Sequence, residues 1–288
     1  MNKTLLTVGL VAATLGLVGC GATDAEAGFF GSVEKTWNNS TEVLDTEDTY
    51  VGYTITEDLG NGYSAIGELS VDIDTSVTER KSYIGIASPT GQVALGKQSS
   101  VQGIVGDATI DIFEGPGFDV NNASNIDNAI TGLINLGGVQ LLGSSIPSAG
   151  DDSYELGAKM ELGSVSLVGA YAETTANVKN TVLGATTNFN GVNLAGTLET
   201  EESAAGVEVD TATVVAVVSA GSNTFKGGFQ DVENTKETYT VEGVHNFSKQ
   251  TSTYANYQTS ETDAGVEDNT TTIGLRVNFR SEERRVGK

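Results

Sequence analysis

TTIGLRVNF, residues 271–279, alternates between two kinds of side chain without a break. In an extended chain Ile273, Leu275, Val277 and Phe279 fall on one face, whereas the polar or small residues between them fall on the other. A period of two residues predicts a β-strand whose two faces meet different surroundings.

Segments of this kind fill residues 28–279 and number about sixteen in all. Short connections, such as 58–62 and 189–191, alternate along the chain with longer ones rich in Asp, Glu, Ser and Thr, such as 200–208 and 261–268. An even strand count with this asymmetry of turns and loops is typical of a membrane barrel. The sequence therefore predicts an all-β fold, a transmembrane antiparallel up-and-down β-barrel of about 16 strands.

Charged side chains recur on the polar face of these segments, among them Glu155, Lys159 and Lys226. An unpaired charge is costly in a dry core, so we expect the polar face to line water and the apolar face to contact outer-membrane lipid. One segment departs from the pattern, because Val215 and Val217 make it apolar on both faces. We expect that segment to pack against another subunit or a loop.

The two ends of the chain do not share the alternation. Residues 1–27 combine a basic Lys3, an apolar stretch and a small-x-small site ending at Ala27, which predicts a signal peptide cleaved there. A lipobox ending at Cys20 is the alternative, and both readings export the protein. Residues 28–279 form the predicted barrel. Residues 280–288 (RSEERRVGK) are predicted to be a non-native tail, with a short natural tail as the alternative.

The composition is strongly acidic, with 38 Asp and Glu against 15 Lys and Arg and a net charge of −23. This balance argues against nucleic acid as a partner, and a water-filled lumen lined in this way would favour cations. The alternative is that acidic loops keep an exported protein soluble. Beyond the leader, no stretch approaches the roughly 20 apolar residues that a spanning helix requires.

Catalytic and metal-binding patterns are not found in the sequence. The chain has one histidine, His245, within a predicted strand, where it is expected to be an interfacial-girdle or packing residue. The only cysteine is Cys20, so residues 28–279 hold no Cys/His metal spacing and no disulfide. We expect no enzyme activity, no metal and no cofactor.

Three blocks of sequence resemble the general Gram-negative outer-membrane porin family. Residues 50–72 (YVGYTITEDLGNGYSAIGELSVD) resemble its second strand, turn and third strand, and 80–98 (RKSYIGIASPTGQVALGKQ) resemble its next hairpin. Residues 239–279 are similar to its last three strands, with GLRVNF as the terminal signature. The blocks occur in the family's order and cover about a third of residues 28–279.

The resemblance implies a homotrimer of barrels whose third external loop folds inward and narrows the channel. The matching stretch, 99–127, contains the candidate constriction acids Asp107, Asp111, Glu114 and Asp119. The family sets an arginine cluster on the wall opposite these acids. In this chain the arginines of residues 28–279 are only Arg80 and Arg276, and the expected candidates for that wall are Lys35, Arg80, Lys81 and Lys97. Each of these four could instead be an interface or rim charge.

The same resemblance implies that Phe279 is the signal read by the barrel-assembly machinery. The expected function is a passive diffusion channel for small hydrophilic solutes and ions, cation-preferring, in a Gram-negative outer membrane. One alternative is a non-conducting barrel that acts as an adhesin or structural protein. Another is a lipidated, secreted β-sheet binding protein, which would follow if Cys20 is modified.

Overall fold

A computed structural model of the chain describes residues 25–73, 76–121, 124–147, 153–174 and 177–280. Within these residues it contains one short helix, α1 (Val101–Asp107), and seventeen strands. The strands are β1 (Ala25–Asn38), β2 (Leu44–Asp45), β3 (Tyr50–Gly60), β4 (Tyr63–Ile73), β5 (Val77–Ser88), β6 (Gly91–Ser99), β7 (Asn125–Leu136), β8 (Val139–Ile146), β9 (Ser153–Leu162), β10 (Val165–Glu173), β11 (Lys179–Phe189), β12 (Val192–Glu202), β13 (Glu208–Ala220), β14 (Asn223–Val232), β15 (Lys236–Asn246), β16 (Thr251–Thr262) and β17 (Glu267–Arg280).

Sixteen of these strands form a closed antiparallel barrel, in which each long strand pairs with its neighbours in the chain. Strand β1 closes the barrel because it pairs on both sides. Its first half, from Ala25 to Ser32, pairs with β3, and its second half, from Phe30 to Asn38, pairs with β17. The two-residue strand β2 pairs with Thr36 and Trp37 of β1, beyond the point where β3 stops.

The predicted strand order and number are confirmed. The alternation predicts segments at 63–73, 139–146 and 153–162, and β4, β8 and β9 begin and end at these residues. The other predicted segments differ from the strands by up to three residues at an end. Most of the differences arise because cross-strand pairing continues into residues that the sequence assigns to turns. In β3, for example, pairing reaches Gly60, and the turn itself is made by Asn61 and Gly62, both at positive φ. The strand β2 and the helix α1 were not predicted.

The two faces of the barrel have opposite exposure. In β17 Ile273 is 50% exposed, whereas Thr272 on the other face is 1% exposed. In β9 Leu156 is 58% exposed and Glu155 is 5% exposed. The polar face is thus the buried one, called the inner face below, and the apolar face is outward, as the alternation predicts for a barrel in lipid. Within the described residues, no helix is both long and apolar enough to cross a membrane.

The strand that is apolar on both faces, β13, has a specific partner on its inner face. Val215 is buried in one cluster with Phe118, which lies in the connection between β6 and β7. The Phe118 ring also covers Gly228 of β14, where a Cβ atom would lie 2.4 Å from the ring. The expectation that β13 packs against a loop is therefore confirmed for its inner face.

The connection 100–121 packs against the inner face. It begins with α1, whose N-cap Ser100 accepts a hydrogen bond from the Gly103 N–H through its side chain, at 2.8 Å. The apolar residues of this segment form a buried cluster with inner-face residues of β8, β10, β11 and β13: Val101, Val105, Ile110, Phe118 and Val120 with Leu142, Val168, Ala170, Val182 and Val215. Apolar burial thus fixes one side of the segment to the wall.

The predicted domain limits fall near the ends of the described chain. Residues 1–24, which include Cys20, and residues 281–288 lie outside the described residues. The predicted cleavage after Ala27 falls inside β1, which starts at Ala25, and β17 ends at Arg280, one residue beyond Phe279. The boundaries at residues 27 and 279 stay predictions.

Candidate channel constriction

Three inner-face glutamates accept hydrogen bonds from the main chain of the segment 100–121. The Glu155 carboxylate accepts from the Val101 N–H at 2.5 Å, at the start of the segment. The Glu199 carboxylate accepts from the Asn121 N–H at 3.0 Å, at its end. These two side chains project from β9 and β12, and both residues are at most 5% exposed.

The third glutamate, Glu242 of β15, holds the middle of the segment. Its carboxylate accepts from the N–H of Glu114 at 3.0 Å and from the N–H of Gly115 at 2.9 Å. It also pairs with Lys226 at 2.8 Å. Carboxylate acceptors form stronger bonds to N–H groups than neutral ones do, so Glu242 ties the middle of the segment to the wall through charge-assisted bonds.

The Glu114 side chain lies between two cations of the wall. Its Oε1 is 3.1 Å from the Nζ of Lys226, and its Oε2 contacts the guanidinium of Arg276. The same guanidinium donates from Nε to Glu34, which also accepts from the Tyr254 hydroxyl at 2.6 Å. This network joins the segment to β1, β14, β16 and β17.

Arg80 is directed to the inner face by a bulge in β5. Ser70 of β4 pairs with Lys81, whereas the next residue, Val71, pairs with Glu79, so Arg80 is the extra residue. Its NH1 lies 2.8 Å from Asp48 Oδ1 and 3.0 Å from Asp72 Oδ1. Its guanidinium also stacks over a tyrosine ring, 4.1 Å from the centroid. Lys81 lies on the same face by its pairing with Ser70.

The remaining acids of the segment form a cluster of their own, made of Asp107, Asp111 and Asp119. Desolvation of the Asp111 carboxyl by the surrounding protein raises its pKa to about 6, and the negative charges of Asp119 and Asp107 act in the same direction. The pKa of Asp119 is also raised, mainly by desolvation. No Lys or Arg of the described residues lies within ion-pair distance of these three carboxylates.

The predicted constriction and wall residues therefore divide into three groups, two of which lie at the inner face. Asp107, Asp111, Glu114 and Asp119 lie in the segment that packs on the inner face, and Arg80 and Lys81 lie on the inner face itself.

Two of the wall candidates lie elsewhere. Lys35 pairs with Leu275 and shares the outer face with it. Lys97 pairs with Ser82, also on the outer face, and forms an ion pair with Asp127 at 3.2 Å. These two lysines do not belong to the inner wall, because each falls on the apolar side of its strand.

Sequence reasoning missed Arg276 and Lys226 as members of this site. The signal that would have found them is the alternation itself, since Arg276 lies between Leu275 and Val277 on the polar face, and Lys226 follows the outward Phe225. Asp48 was missed as well. It lies in an irregular connection and has no strand parity to reveal its direction.

His245 lies on the outer face of β15. Its ring contacts Phe247, with 4.8 Å between centroids, and its Nδ1 lies 2.8 Å from Asn223 Oδ1. These contacts, on an exposed residue of the outer face, fit either of the two expected roles, a girdle or a packing residue. In the part of the chain that the structure describes, no group of three or more His, Cys, Asp or Glu side chains is arranged to hold a metal ion.

Solved porin structures share this architecture. An anion-selective porin from Comamonas acidovorans superimposes with a TM-score of 0.75 at 18% identity, covering 89% of this chain and 100% of that one. The trimer form of OmpT, an outer membrane protein of Vibrio cholerae, gives a TM-score of 0.75 at 12% identity with the same coverage. Salmonella typhi OmpF, solved in complex with daunomycin, gives 0.71 at 12% identity, covering 88% of this chain and 97% of that one.

No curated protein matches the sequence. The family model described as Gram-negative porin matches residues 12–265, which is most of the chain. Together with the closed sixteen-stranded barrel, this match assigns the protein to the outer membrane as a channel-forming protein. The chain belongs to the Gram-negative porin family.

Proposed function

We propose that this porin is a cation-preferring, passive diffusion channel whose narrowest part is formed by the segment 100–121. Small hydrophilic solutes and ions move through the barrel down their gradients, and no chemical step takes place. The proposal is carried by one observation: three cations of the inner wall, Arg80, Lys226 and Arg276, contact carboxylates, whereas no cation of the described residues lies within ion-pair distance of Asp107, Asp111 and Asp119 of the segment.

The pairing of the wall cations can be followed residue by residue. Arg80 is shared by Asp48 and Asp72, and Lys226 is shared by Glu114 and Glu242. Arg276 contacts Glu34 and Glu114. Each of these three cations thus contacts at least two carboxylates, which reduces the positive potential that would attract anions.

The acids Asp107, Asp111 and Asp119 carry the uncompensated charge. Charges in a confined aqueous path raise the local concentration of counter-ions. The effect reaches about a Debye length, near 8 Å at physiological ionic strength, and weakens as salt rises. The anion-selective porin from Comamonas acidovorans is only 18% identical to this chain, so selectivity here is argued from the chain's own side chains.

The expected assembly is a homotrimer inserted by the barrel-assembly machinery, with Phe279 as the terminal signal. Support comes from the family and from the trimer form of the Vibrio cholerae relative. The outer face supports insertion in lipid, since apolar side chains such as Leu183, Leu198 and Ile84 are more than half exposed on it.

Reversal potentials in planar bilayers under a KCl gradient test the selectivity. We expect a potential of the sign for K⁺ over Cl⁻ that shrinks as the salt concentration rises. The triple variant Asp107→Asn, Asp111→Asn, Asp119→Asn should lose most of this preference and still conduct. The matched variant Asp231→Asn, Asp263→Asn, Asp268→Asn removes three acids outside the segment and should keep it.

Two results would overturn the proposal. Anion preference of the unmodified protein refutes the charge argument. Absence of single-channel conductance from correctly folded protein refutes the channel itself and favours the adhesin or structural alternative.

A further inference from the structure

The inner wall formed by β4 and β5 lies on the side of the barrel away from the anchors of the segment 100–121. The segment is tied to the wall by hydrogen bonds to β9, β11, β12, β15 and β16 and by ion pairs to β14 and β17. In the ring of sixteen strands, β4 is opposite β12 and β5 is opposite β13. A solute that passes the segment is therefore expected to contact the inner face of β4 and β5.

Glu68 of β4 lies on this wall, and two hydroxyl groups orient its carboxylate. The Ser70 hydroxyl donates to Oε1 at 3.0 Å, and the Tyr83 hydroxyl lies 3.4 Å from Oε2. Glu68 pairs directly with Tyr83 of β5 and is two residues from the buried Ser70, so all three side chains share the inner face. The Glu68 side chain is only half-buried, and its carboxylate is thus a fixed negative charge that a solute can reach.

Lys81 of β5 places a positive charge beside this carboxylate. It pairs directly with Ser70, which makes it the diagonal cross-strand neighbour of Glu68 on the inner face. Such neighbours are about 7–8 Å apart, within reach of long side chains. Lys81 is half-buried, and no carboxylate of the described residues lies within ion-pair distance of its ammonium group. Opposite charges therefore lie side by side on the same wall without forming an ion pair with each other.

We propose that Glu68 and Lys81 form a subsite for small zwitterions such as α-amino acids, with the ammonium group of the solute on Glu68 and its carboxylate on Lys81. A zwitterion gains an attraction from each of the two charges. A simple amine is attracted by Glu68 and repelled by Lys81, and for a simple carboxylate the two effects are exchanged. The proposal rests on the proposed channel function and names a class of solute that the channel retains.

Saturation-transfer NMR on the detergent-solubilised barrel tests the subsite, with L-alanine, ethylammonium and propionate as probes whose methyl groups report contact with the protein. We expect saturable transfer to L-alanine that exceeds the transfer to either singly charged probe at the same concentration. Lys81→Gln and Glu68→Gln should each weaken binding of L-alanine by about twofold to fivefold, the change expected for loss of one solvated ion pair. The matched controls, Lys159→Gln and Glu161→Gln, remove a cation and an acid from the inner face of β9 and should leave binding unchanged.

Uptake of radiolabelled L-alanine into proteoliposomes repeats the comparison during transport. It should saturate with concentration, whereas uptake of uncharged glycerol should rise in proportion to concentration. Saturable binding that Lys81→Gln and Glu68→Gln weaken supports the subsite even if the barrel does not conduct, in which case only the proposed function fails. Equal binding of L-alanine and the singly charged probes, equal effects of the two sets of variants, or absence of saturable binding to the folded barrel would overturn the subsite.

Discussion

The carboxylate of Glu242 accepts a hydrogen bond from the main-chain N–H of Gly115, with 2.9 Å between Oε2 and the nitrogen. The two residues are 127 positions apart in the chain. This contact holds the middle of the segment 100–121 against the wall. Glu155 and Glu199 hold its two ends in the same way. The position of the segment on the inner face therefore depends on three wall carboxylates.

The substitution Glu242→Ala should allow the middle of the segment 100–121 to move away from the wall more often. The N–H groups of Glu114 and Gly115 lose their acceptor, which costs about 1–3 kcal/mol for each group that stays unpaired, and Lys226 keeps one partner instead of two. We expect noisier open-channel current and faster entry of large sugars into proteoliposomes. Glu237→Gln, on the outer face of the same strand, is the control and should change neither.

A disulfide should reverse this effect. A Cβ atom at Gly115 would lie 3.0 Å from the Cβ of Asn256, shorter than the roughly 3.5–4.5 Å found in disulfides, so the two residues need only a small outward shift for the bond to form. Gly115→Cys with Asn256→Cys in the Glu242→Ala background should restore quiet current when oxidised and lose it again on reduction. If the oxidised protein stays noisy, movement of this segment is not the cause.

Selectivity should depend on pH through Asp111. Its pKa is raised to about 6, so the carboxyl is mostly ionised at pH 7 and mostly protonated at pH 5. Cation preference should therefore fall as the pH is lowered from 7 to 5, well above the range in which an ordinary aspartate titrates. Reversal potentials measured at a series of pH values provide the check, and Asp111→Asn should remove the transition.

The same pKa shift predicts the sign of a stability effect. A carboxyl whose pKa is higher in the folded state than in the unfolded state destabilises the fold when it is ionised. The barrel should thus gain stability as the pH falls from above 6 towards 4, and Asp111→Asn should show a smaller gain. The check is the heat-modifiability midpoint, measured on gels at each pH for the unmodified protein and for Asp111→Asn. Equal changes of the midpoint with pH in the two proteins would contradict the prediction.

The alternation of apolar and polar residues accounts for most of what could be predicted about the fold and the inner wall. Three cations show where it is sufficient and where it is not. Arg276 and Lys35 follow strict parity, so the sequence alone assigns the first to the inner face and the second to the outer face. Arg80 does not follow parity, because the bulge in β5 shifts the register by one residue. Such a bulge leaves no mark in the hydrophobic pattern.

The path of the segment 100–121 is likewise absent from local sequence. Its contacts, such as Gly115 with Glu242 and Asn121 with Glu199, join residues far apart in the chain. Periodicity carries no information about such pairs. Resemblance to a family implied that this loop turns inward, but the glutamates that hold it became visible only as hydrogen bonds in the folded chain.

The start of the mature protein is open to a direct measurement. Cleavage after Ala27 predicts a mature chain that begins at Gly28, and it would remove the pairing of Ala25, Glu26 and Ala27 with β3. The remaining pairs, from Gly28 to Ser32, keep β1 attached to that strand. Intact mass of the purified protein checks this, and a mass that includes a lipidated Cys20 would establish the alternative cut.

The closure of the barrel should be sensitive to a single methyl group at Gly31. The ring of Phe279 lies over this glycine on the outer face, and a Cβ atom there would come within 2.5 Å of the ring and 2.4 Å of the Tyr50 carbonyl oxygen. Overpacking of this kind costs about 1–3 kcal/mol, so Gly31→Ala should lower the heat-modifiability midpoint and slow assembly. Gly132→Ala, whose Cβ meets no atom within 4 Å, is the matched control. Equal midpoints for the two variants would show that the contact between Phe279 and Gly31 of β1 does not limit closure of the barrel.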